Sequence, residues 1–269
     1  MLRQETPNPM TPAIEISNLS KKFSNDYAVK SLNLSVPSGI IFGFVGPNGA
    51  GKTTTIRLLL GLLRPTSGSI RVLDRPVIGD IAGLRRHIGV VPEGLAFFDY
   101  LTGWEHLTFV GKMFGLDGPT IVSRGKELLN LMELQGSANT LTMNYSFGMK
   151  KKLALAAALL PNPRLLILDE PFESIDPVTR TLLEEILNEL VARKVTVFMT
   201  SHALDLVERL CSEAAIIDEG SLVVKGPMTD LIRECGTLER LFLDSIPPDE
   251  QRTSKLSWLQ SKDDDTLLG

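Results

Sequence analysis

Residues 46–53 read Gly-Pro-Asn-Gly-Ala-Gly-Lys-Thr and fit the pattern G-x-x-x-x-G-K-[ST] at every fixed position. The apolar run 40–45 before them predicts a buried strand, and residues 54–63 after them predict a buried helix that is apolar on nearly all sides. A strand, a glycine-rich loop and a helix in this order are the context in which the pattern binds nucleotide phosphates. We therefore predict a phosphate-binding loop within an α/β fold.

Each position of this loop has a chemical reason. Glycines let the main chain turn tightly and bring its N–H groups, together with the helix N-terminus, close to an anion. Lys52 carries positive charge to the terminal phosphates, and Thr53 offers a hydroxyl to Mg²⁺. The residues predicted to contact the nucleotide are Gly46, Pro47, Asn48, Gly49, Ala50, Gly51, Lys52, Thr53 and Thr54.

Composition limits the class of protein. The 269 residues suffice for one large domain or for a core with a subdomain. A net charge of −4 argues against nucleic acid as the main partner, because a surface that tracks phosphates usually leaves a basic balance. Cys211 and Cys235 predict no disulfide framework. The longest apolar runs are far shorter than the roughly 20 residues that cross a bilayer, so other chains would provide any membrane span.

Composition and the periodicity of apolar residues divide the chain into five parts. Residues 1–12 are polar with three prolines and predict a disordered arm. Residues 13–93 predict an N-terminal antiparallel β layer that leads into a nucleotide-binding core, and residues 161–235 return to that discontinuous core. Residues 94–160 show helical periodicity and predict a helical insertion. Residues 236–269 predict a C-terminal segment that ends in a polar tail, of which about the last twenty residues are expected to be weakly ordered.

A second candidate site lies after the apolar run 165–168. Asp169 and Glu170 follow this run directly, at the carboxyl end of a predicted strand, where ligands bind in open α/β sheets. Asp176 precedes a proline and predicts the N-cap of an amphipathic helix. His202 follows the next predicted strand. The two carboxylates and this histidine are therefore candidates for work on the nucleotide.

Further motifs narrow the class of nucleotide-binding protein. No N-K-x-D string for guanine recognition occurs. The motifs that do occur, in order, are Phe23, Glu93, Tyr145-Ser-Phe-Gly-Met149, Leu165 to Glu170, Ser174-Ile-Asp176 and His202. From about residue 13 to about residue 243 this order resembles an ATP-binding cassette (ABC) ATPase.

The resemblance implies a role for individual residues. Phe23 would stack on adenine, for which a flat aromatic face needs no hydrogen bond. Asp169 would hold Mg²⁺ through water, and the adjacent Glu170 would be the general base that polarises the attacking water. His202 would contact the γ-phosphate. The sequence also permits purely structural roles for both residues: Phe23 could be a core aromatic, and His202 could be a structural histidine.

The segment 145–149 departs from the usual Leu-Ser-Gly-Gly-Gln of the family. Ser146 and Gly148 keep the hydroxyl and the main-chain N–H that, in the family, reach the γ-phosphate bound by the opposite subunit. The resemblance therefore implies a two-fold dimer with an identical or different second ABC subunit. The alternative is a serine that merely caps an alanine-rich helix. Asp176 could cap the helix and could also contact the second subunit across the dimer, and the two roles are compatible.

Other features indicate which branch of the ABC family the chain resembles. Glu93 replaces the glutamine common in the family and could bind Mg²⁺ or water. Together with the runs 101–105 and 238–242, it looks most like the exporter branch, for drugs or polymers. The resemblance then implies an ATPase that uses ATP and Mg²⁺, works with membrane-spanning permease subunits and lies peripherally on the cytoplasmic face. A soluble ABC ATPase of iron–sulfur cluster assembly, another non-transport role and a small-molecule kinase are the alternatives.

Two clusters admit two interpretations each. Six aromatic residues crowd the start of the helical insertion and form either part of its core or a groove for a membrane subunit; they are Phe97, Phe98, Tyr100, Trp104, Phe109 and Phe114. Residues 150–152 are three lysines, which predict a solvated helix face rather than a basic binding patch.

Overall fold

The computed structural model describes residues 11–79 and 81–246. The strands are β1 Ile14–Phe23, β2 Asp26–Val36, β3 Ile41–Val45, β4 Ser67–Val72, β5 Arg75–Pro76, β6 Ile88–Val91, β7 Leu165–Asp169, β8 Thr196–Ser201, β9 Glu213–Asp218 and β10 Ser221–Pro227. The α-helices are α1 Lys52–Leu59, α2 Ala82–Arg85, α3 Gly103–Met113, α4 Gly118–Leu131, α5 Phe147–Leu159, α6 Pro177–Ala192, α7 Leu204–Leu210, α8 Met228–Leu231 and α9 Leu238–Ser245. The predicted arm up to residue 10 and the tail from residue 247 lie outside the described residues.

The strands form two sheets. A six-stranded sheet has the order β10-β9-β3-β8-β7-β6, in which β3 runs parallel to β8 and β9, and β7 runs parallel to β6 and β8. A four-stranded sheet has the order β2-β1-β4-β5, and its pairings are antiparallel. The α/β fold with an N-terminal antiparallel layer is therefore confirmed.

Strand β3 sits between two hydrophobic cores. Its five residues are all buried, and successive side chains point to opposite faces, as a strand requires. Phe42 and Phe44 enter the core beneath the antiparallel sheet, where Phe42 stacks on Phe198 with ring centroids 5.8 Å apart. Ile41 and Val45 enter the core on the side of the helical insertion. This burial fixes the end of β3 from which the phosphate loop starts.

The helical insertion contains α3, α4 and α5, and two short 3₁₀ turns, Gln135–Ser137 and Thr142–Asn144, lie between α4 and α5. Helix α5 packs against β6. Its residues Leu153 and Ala156 are buried in the larger core. The segment that opens α5 is therefore anchored to the parallel sheet.

The predicted helix 54–63 is observed as α1 with different ends. It begins two residues earlier, at Lys52, directly after Gly51, and it ends at Leu59. The chain turns at Gly61, whose φ is 60°.

Within the described ranges, no helix combines the length and the apolar character that a membrane crossing needs.

Candidate nucleotide-binding and catalytic site

The phosphate loop is wedged between two other parts of the chain. Gly51 has a φ of 103°, and a Cβ placed on it would lie 2.3 Å from the carbonyl oxygen of Ala28 on β2. On the other side, the β9–β10 turn at Gly220 donates its N–H to the carbonyl oxygen of Ala50 at 3.0 Å. Glu219 and Gly220 both have positive φ, as a two-residue hairpin turn favours. The loop conformation is thus set by tertiary contacts as well as by its glycines.

Gly51→Ala is expected to abolish nucleotide binding. Alanine in the left-handed region costs about 1–2 kcal/mol, and the clash with Ala28 adds to that cost. Isothermal titration with ATP and a thermal melt measure the two effects. Gly115→Ala is the matched control, because Gly115 also has a positive φ, 75°, but its Cβ would meet no atom within 4 Å. Equal ATP affinity of the two variants would contradict the prediction.

Lys52 is buried inside the loop. Its Nζ donates to the carbonyl oxygens of Gly46 at 2.6 Å and Pro47 at 3.2 Å. It also lies 3.9 Å from Oε1 of Glu170. A cation at this place faces the cleft from the loop side, which suits contact with terminal phosphates.

Asp169 is buried at the end of β7 and joins three elements. Its Oδ1 accepts a hydrogen bond from the Thr200 hydroxyl on β8 at 2.6 Å, and its Oδ2 accepts one from the Thr53 hydroxyl on α1 at 3.3 Å. A carboxylate beside a hydroxyl at a phosphate loop is an all-oxygen donor set of the kind that Mg²⁺ prefers, with phosphates and water completing its shell. The residues present therefore fit Mg²⁺.

Glu170 has a buried carboxylate with fixed surroundings. Its Oε2 lies 3.0 Å from Nδ1 of His202 and 3.3 Å from the main-chain N of the same histidine. Its φ of 49° places a residue other than glycine in the left-handed region. The main-chain N–H of Glu170 donates to the Thr200 hydroxyl at 3.0 Å. One threonine thus connects the two neighbouring acids.

These groups share a cleft of about 620 Å³. It is lined by Ala28, Gly46, Pro47, Asn48, Gly49, Gly51, Lys52, Thr53, Thr54, Glu93, Asp169, Glu170, Glu173, His202, Leu204 and Phe242. The structure therefore brings Lys52, Thr53, Glu93, Asp169, Glu170 and His202 together. Among the residues described, Phe23, Ser146 and Gly148 do not line this cleft. Phe23 ends β1 and is 47% exposed.

The segment 145–149 has a firm local structure. The Ser146 hydroxyl oxygen caps α5 by accepting the N–H of Met149 at 3.2 Å, and the side chain of Ser146 is exposed. Tyr145 is buried, and its hydroxyl donates to the carbonyl oxygen of Ser137 at 2.7 Å. Burial raises the pKa of Tyr145, which keeps the hydroxyl neutral as a donor. Capping and a contact with a second subunit are compatible roles for Ser146.

Some site residues were not foreseen from the sequence. Thr200 bridges the two acids, and Phe242 reaches the cleft from α9. The lysine run corrects a prediction: Lys151 and Lys152 are buried, at 2% and 9% exposure, so the prediction of a solvated helix face is wrong for both. Lys152 pairs with Glu133 at 2.7 Å. No sequence pattern at these positions distinguishes a buried lysine from a solvated one.

A phosphate loop at the end of a central parallel strand, facing a buried Asp–Glu pair from the same sheet, defines a P-loop nucleoside triphosphatase. The profile of the family described as ABC transporter matches residues 29–173, and the chain belongs to this family. It is an ATP-binding ATPase subunit of an ABC transporter.

Relatives and solved structures agree with this family. The chain is 35% identical to the Nod factor export ATP-binding protein I of Ralstonia nicotianae over 257 residues, which cover 92% of this chain and 78% of the relative. It is 37% identical to the daunorubicin/doxorubicin resistance ATP-binding protein DrrA of Streptomyces peucetius, with 84% and 69% covered. A solved ATP-binding subunit of an ABC transporter superposes with a TM-score of 0.81 at 29% identity, covering 86% of this chain and 98% of that one.

Proposed function

We propose that this subunit closes with a second ABC subunit around ATP and Mg²⁺ and so drives export through separate membrane-spanning subunits, from the cytoplasmic face. One observation carries the proposal. The cleft holds the phosphate loop and both acids, whereas Ser146 and Gly148 lie elsewhere on the same chain. A second subunit would bring its own Ser146 and Gly148 to this cleft. Two-fold symmetry would then build two such sites.

The chemistry of the proposed site is hydrolysis of ATP. Glu170 accepts a proton from water while the water oxygen bonds to the γ-phosphorus, and the bond from that phosphorus to the ADP oxygen breaks. Lys52 and His202 bind the γ-phosphate oxygens. Mg²⁺, held by Thr53 and Asp169, would supply charge that neutralises the phosphate oxygens. Glu93 lies at the cleft edge, where it can bind water or the metal.

We propose export as the direction of transport because the names of two relatives refer to export or to drug resistance. One is named for Nod factor export and the other for resistance to daunorubicin and doxorubicin. No relative reported above supports the iron–sulfur alternative. The membrane subunits themselves would determine which substrate moves.

The six aromatic residues at the start of the helical insertion divide into two groups. Trp104 covers Gly125, and Phe97 and Phe114 line a groove of about 240 Å³. Phe98, Tyr100 and Phe109 are 57%, 82% and 38% exposed. The first group has a packing role, and exposed aromatic side chains of the second group suit contact with a partner. The proposed docking surface for a membrane subunit therefore contains Phe98 and Tyr100.

Replacement of Phe98 and Tyr100 by alanine is expected to weaken membrane association at least tenfold, because each removes a large apolar contact. Membrane pull-down with the co-expressed permease and stimulation of ATPase by that permease are the measurements. Ile78→Ala is the control, since Ile78 is an exposed apolar residue, at 79%, outside the helical insertion. Undiminished association and stimulation in the aromatic variants would exclude this docking surface.

A further inference from the structure

Lys151 connects α5 to Glu170, the proposed general base, of its own chain. Its side chain is almost fully buried, and its Nζ donates a hydrogen bond to the main-chain carbonyl oxygen of Glu170 at 2.9 Å. The same Nζ lies 5.5 Å from the ring centroid of Phe147, in the first turn of α5. Helix α5 thus presents Ser146 and Gly148 at its exposed start and reaches Glu170 from its second turn.

The main chain of Glu170 is held at both of its polar groups. Thr200 accepts its N–H, and Lys151 donates to its carbonyl oxygen. This matters because the left-handed φ of Glu170 costs free energy that surrounding contacts must offset. Without the lysine, this carbonyl would keep the longer hydrogen bond from the N–H of Glu173, at 3.3 Å, but it would lose its charged donor, beside the carboxylate that must point at the attacking water. The donor therefore helps to keep the conformation from which the Glu170 side chain extends.

The charged groups around Lys151 are carboxylates, which favour a cation at this position. Burial lowers the pKa of Lys151, whereas the nearby carboxylates of Glu173, Glu170, Glu93 and Asp169 act in the opposite direction and favour the ammonium. A charged donor makes a stronger hydrogen bond to a carbonyl than a neutral donor does.

We propose that Lys151 is a positioning residue for Glu170, and that it couples the general base of one ATP site to the helix that serves the other. The coupling rests on the proposed function, in which Ser146 and Gly148 act on the partner's ATP. When α5 shifts on contact with the partner's nucleotide, Lys151 carries that shift to the carbonyl of Glu170. The base in one cleft thereby responds to occupancy of the second.

The test compares Lys151→Met with Lys151→Arg and with Lys152→Met in the full chain. Methionine keeps the length of the lysine stem but removes the donor, and kcat for ATP is expected to fall by roughly tenfold to a hundredfold, as for a misplaced catalytic group. The Kd for ATP stays within twofold, because the phosphate loop is untouched. Lys151→Arg restores most of kcat. Lys152→Met, on the same helix but paired with Glu133, keeps kcat.

A double-mutant cycle separates positioning from a merely structural role. If Lys151 acts through Glu170, Lys151→Met lowers kcat much less in a Glu170→Gln background than in the wild type. Unchanged kcat in Lys151→Met overturns the inference, and so does a parallel loss of ATP affinity that Lys151→Arg does not restore. Full turnover by Glu170→Gln instead overturns the assignment of the base, whatever Lys151 does. If Lys151→Met does not fold, Lys151→Gln is judged by the same criteria.

Discussion

Glu170→Gln is expected to lower kcat by roughly 10²–10⁴-fold, the range that a positioned general base contributes. Glutamine has the shape of glutamate, so contacts with His202 Nδ1 and with the main-chain N–H of His202 can persist. It cannot accept the proton of the attacking water. We therefore expect ATP to bind and to be hydrolysed far more slowly, so that the proposed closed dimer accumulates.

Two measurements check this expectation. Phosphate release gives the turnover, and size-exclusion chromatography with and without ATP gives the fraction of dimer. Glu185→Gln is the control, because Glu185 is an exposed acid on α6 and should leave both readouts unchanged. Phosphate release at the wild-type rate by Glu170→Gln would remove Glu170 from the role of base.

Gly148→Ala is expected to lower the ATPase activity without lowering the stability of the fold. A Cβ on Gly148 would lie 3.5 Å from Oδ2 of Asp176 and 3.6 Å from Oγ1 of Thr179, which are ordinary contacts. Alanine also favours a helix over glycine by up to about 1 kcal/mol. The variant should therefore be at least as stable as the wild type. We nevertheless expect the added methyl group to hinder the proposed contact between the N–H of residue 148 and the partner's γ-phosphate, and loss of such a contact costs about 10²–10³ in kcat.

The measurements for Gly148→Ala are Tm, the Kd of the monomer for ATP and the steady-state ATPase rate. We expect the first two to stay at wild-type values and the third to fall, with no ATP-dependent dimer. Gly136→Ala is the control, because Gly136 is also in the helical insertion and its Cβ would meet no atom within 4 Å. Wild-type ATPase in Gly148→Ala would contradict action of this segment on a second subunit.

Features encoded in a few consecutive residues were predictable from the sequence. The phosphate loop, the strand that delivers Asp169 and the N-cap at Asp176 each depend on local chemistry, and the structure has the loop, the strand and the cap where they were predicted. Asp176 accepts the N–H of Thr179 at 2.9 Å, as a capping aspartate does. Parallel strands also bring their carboxyl ends to one edge, which explains why Glu170 and His202 meet.

Contacts between distant parts of the chain were decided only by the tertiary structure. Three consecutive lysines predict a solvated face because an unpaired buried charge is costly. The fold removes that cost by placing the Glu170 carbonyl against Lys151 and the Glu133 carboxylate against Lys152, each 19 residues away along the chain. Phe242 reaches the cleft in the same way, through α9. The sequence thus determined which groups are available for the proposed chemistry, and the packing of α5 and α9 against the sheet decided what holds and surrounds them.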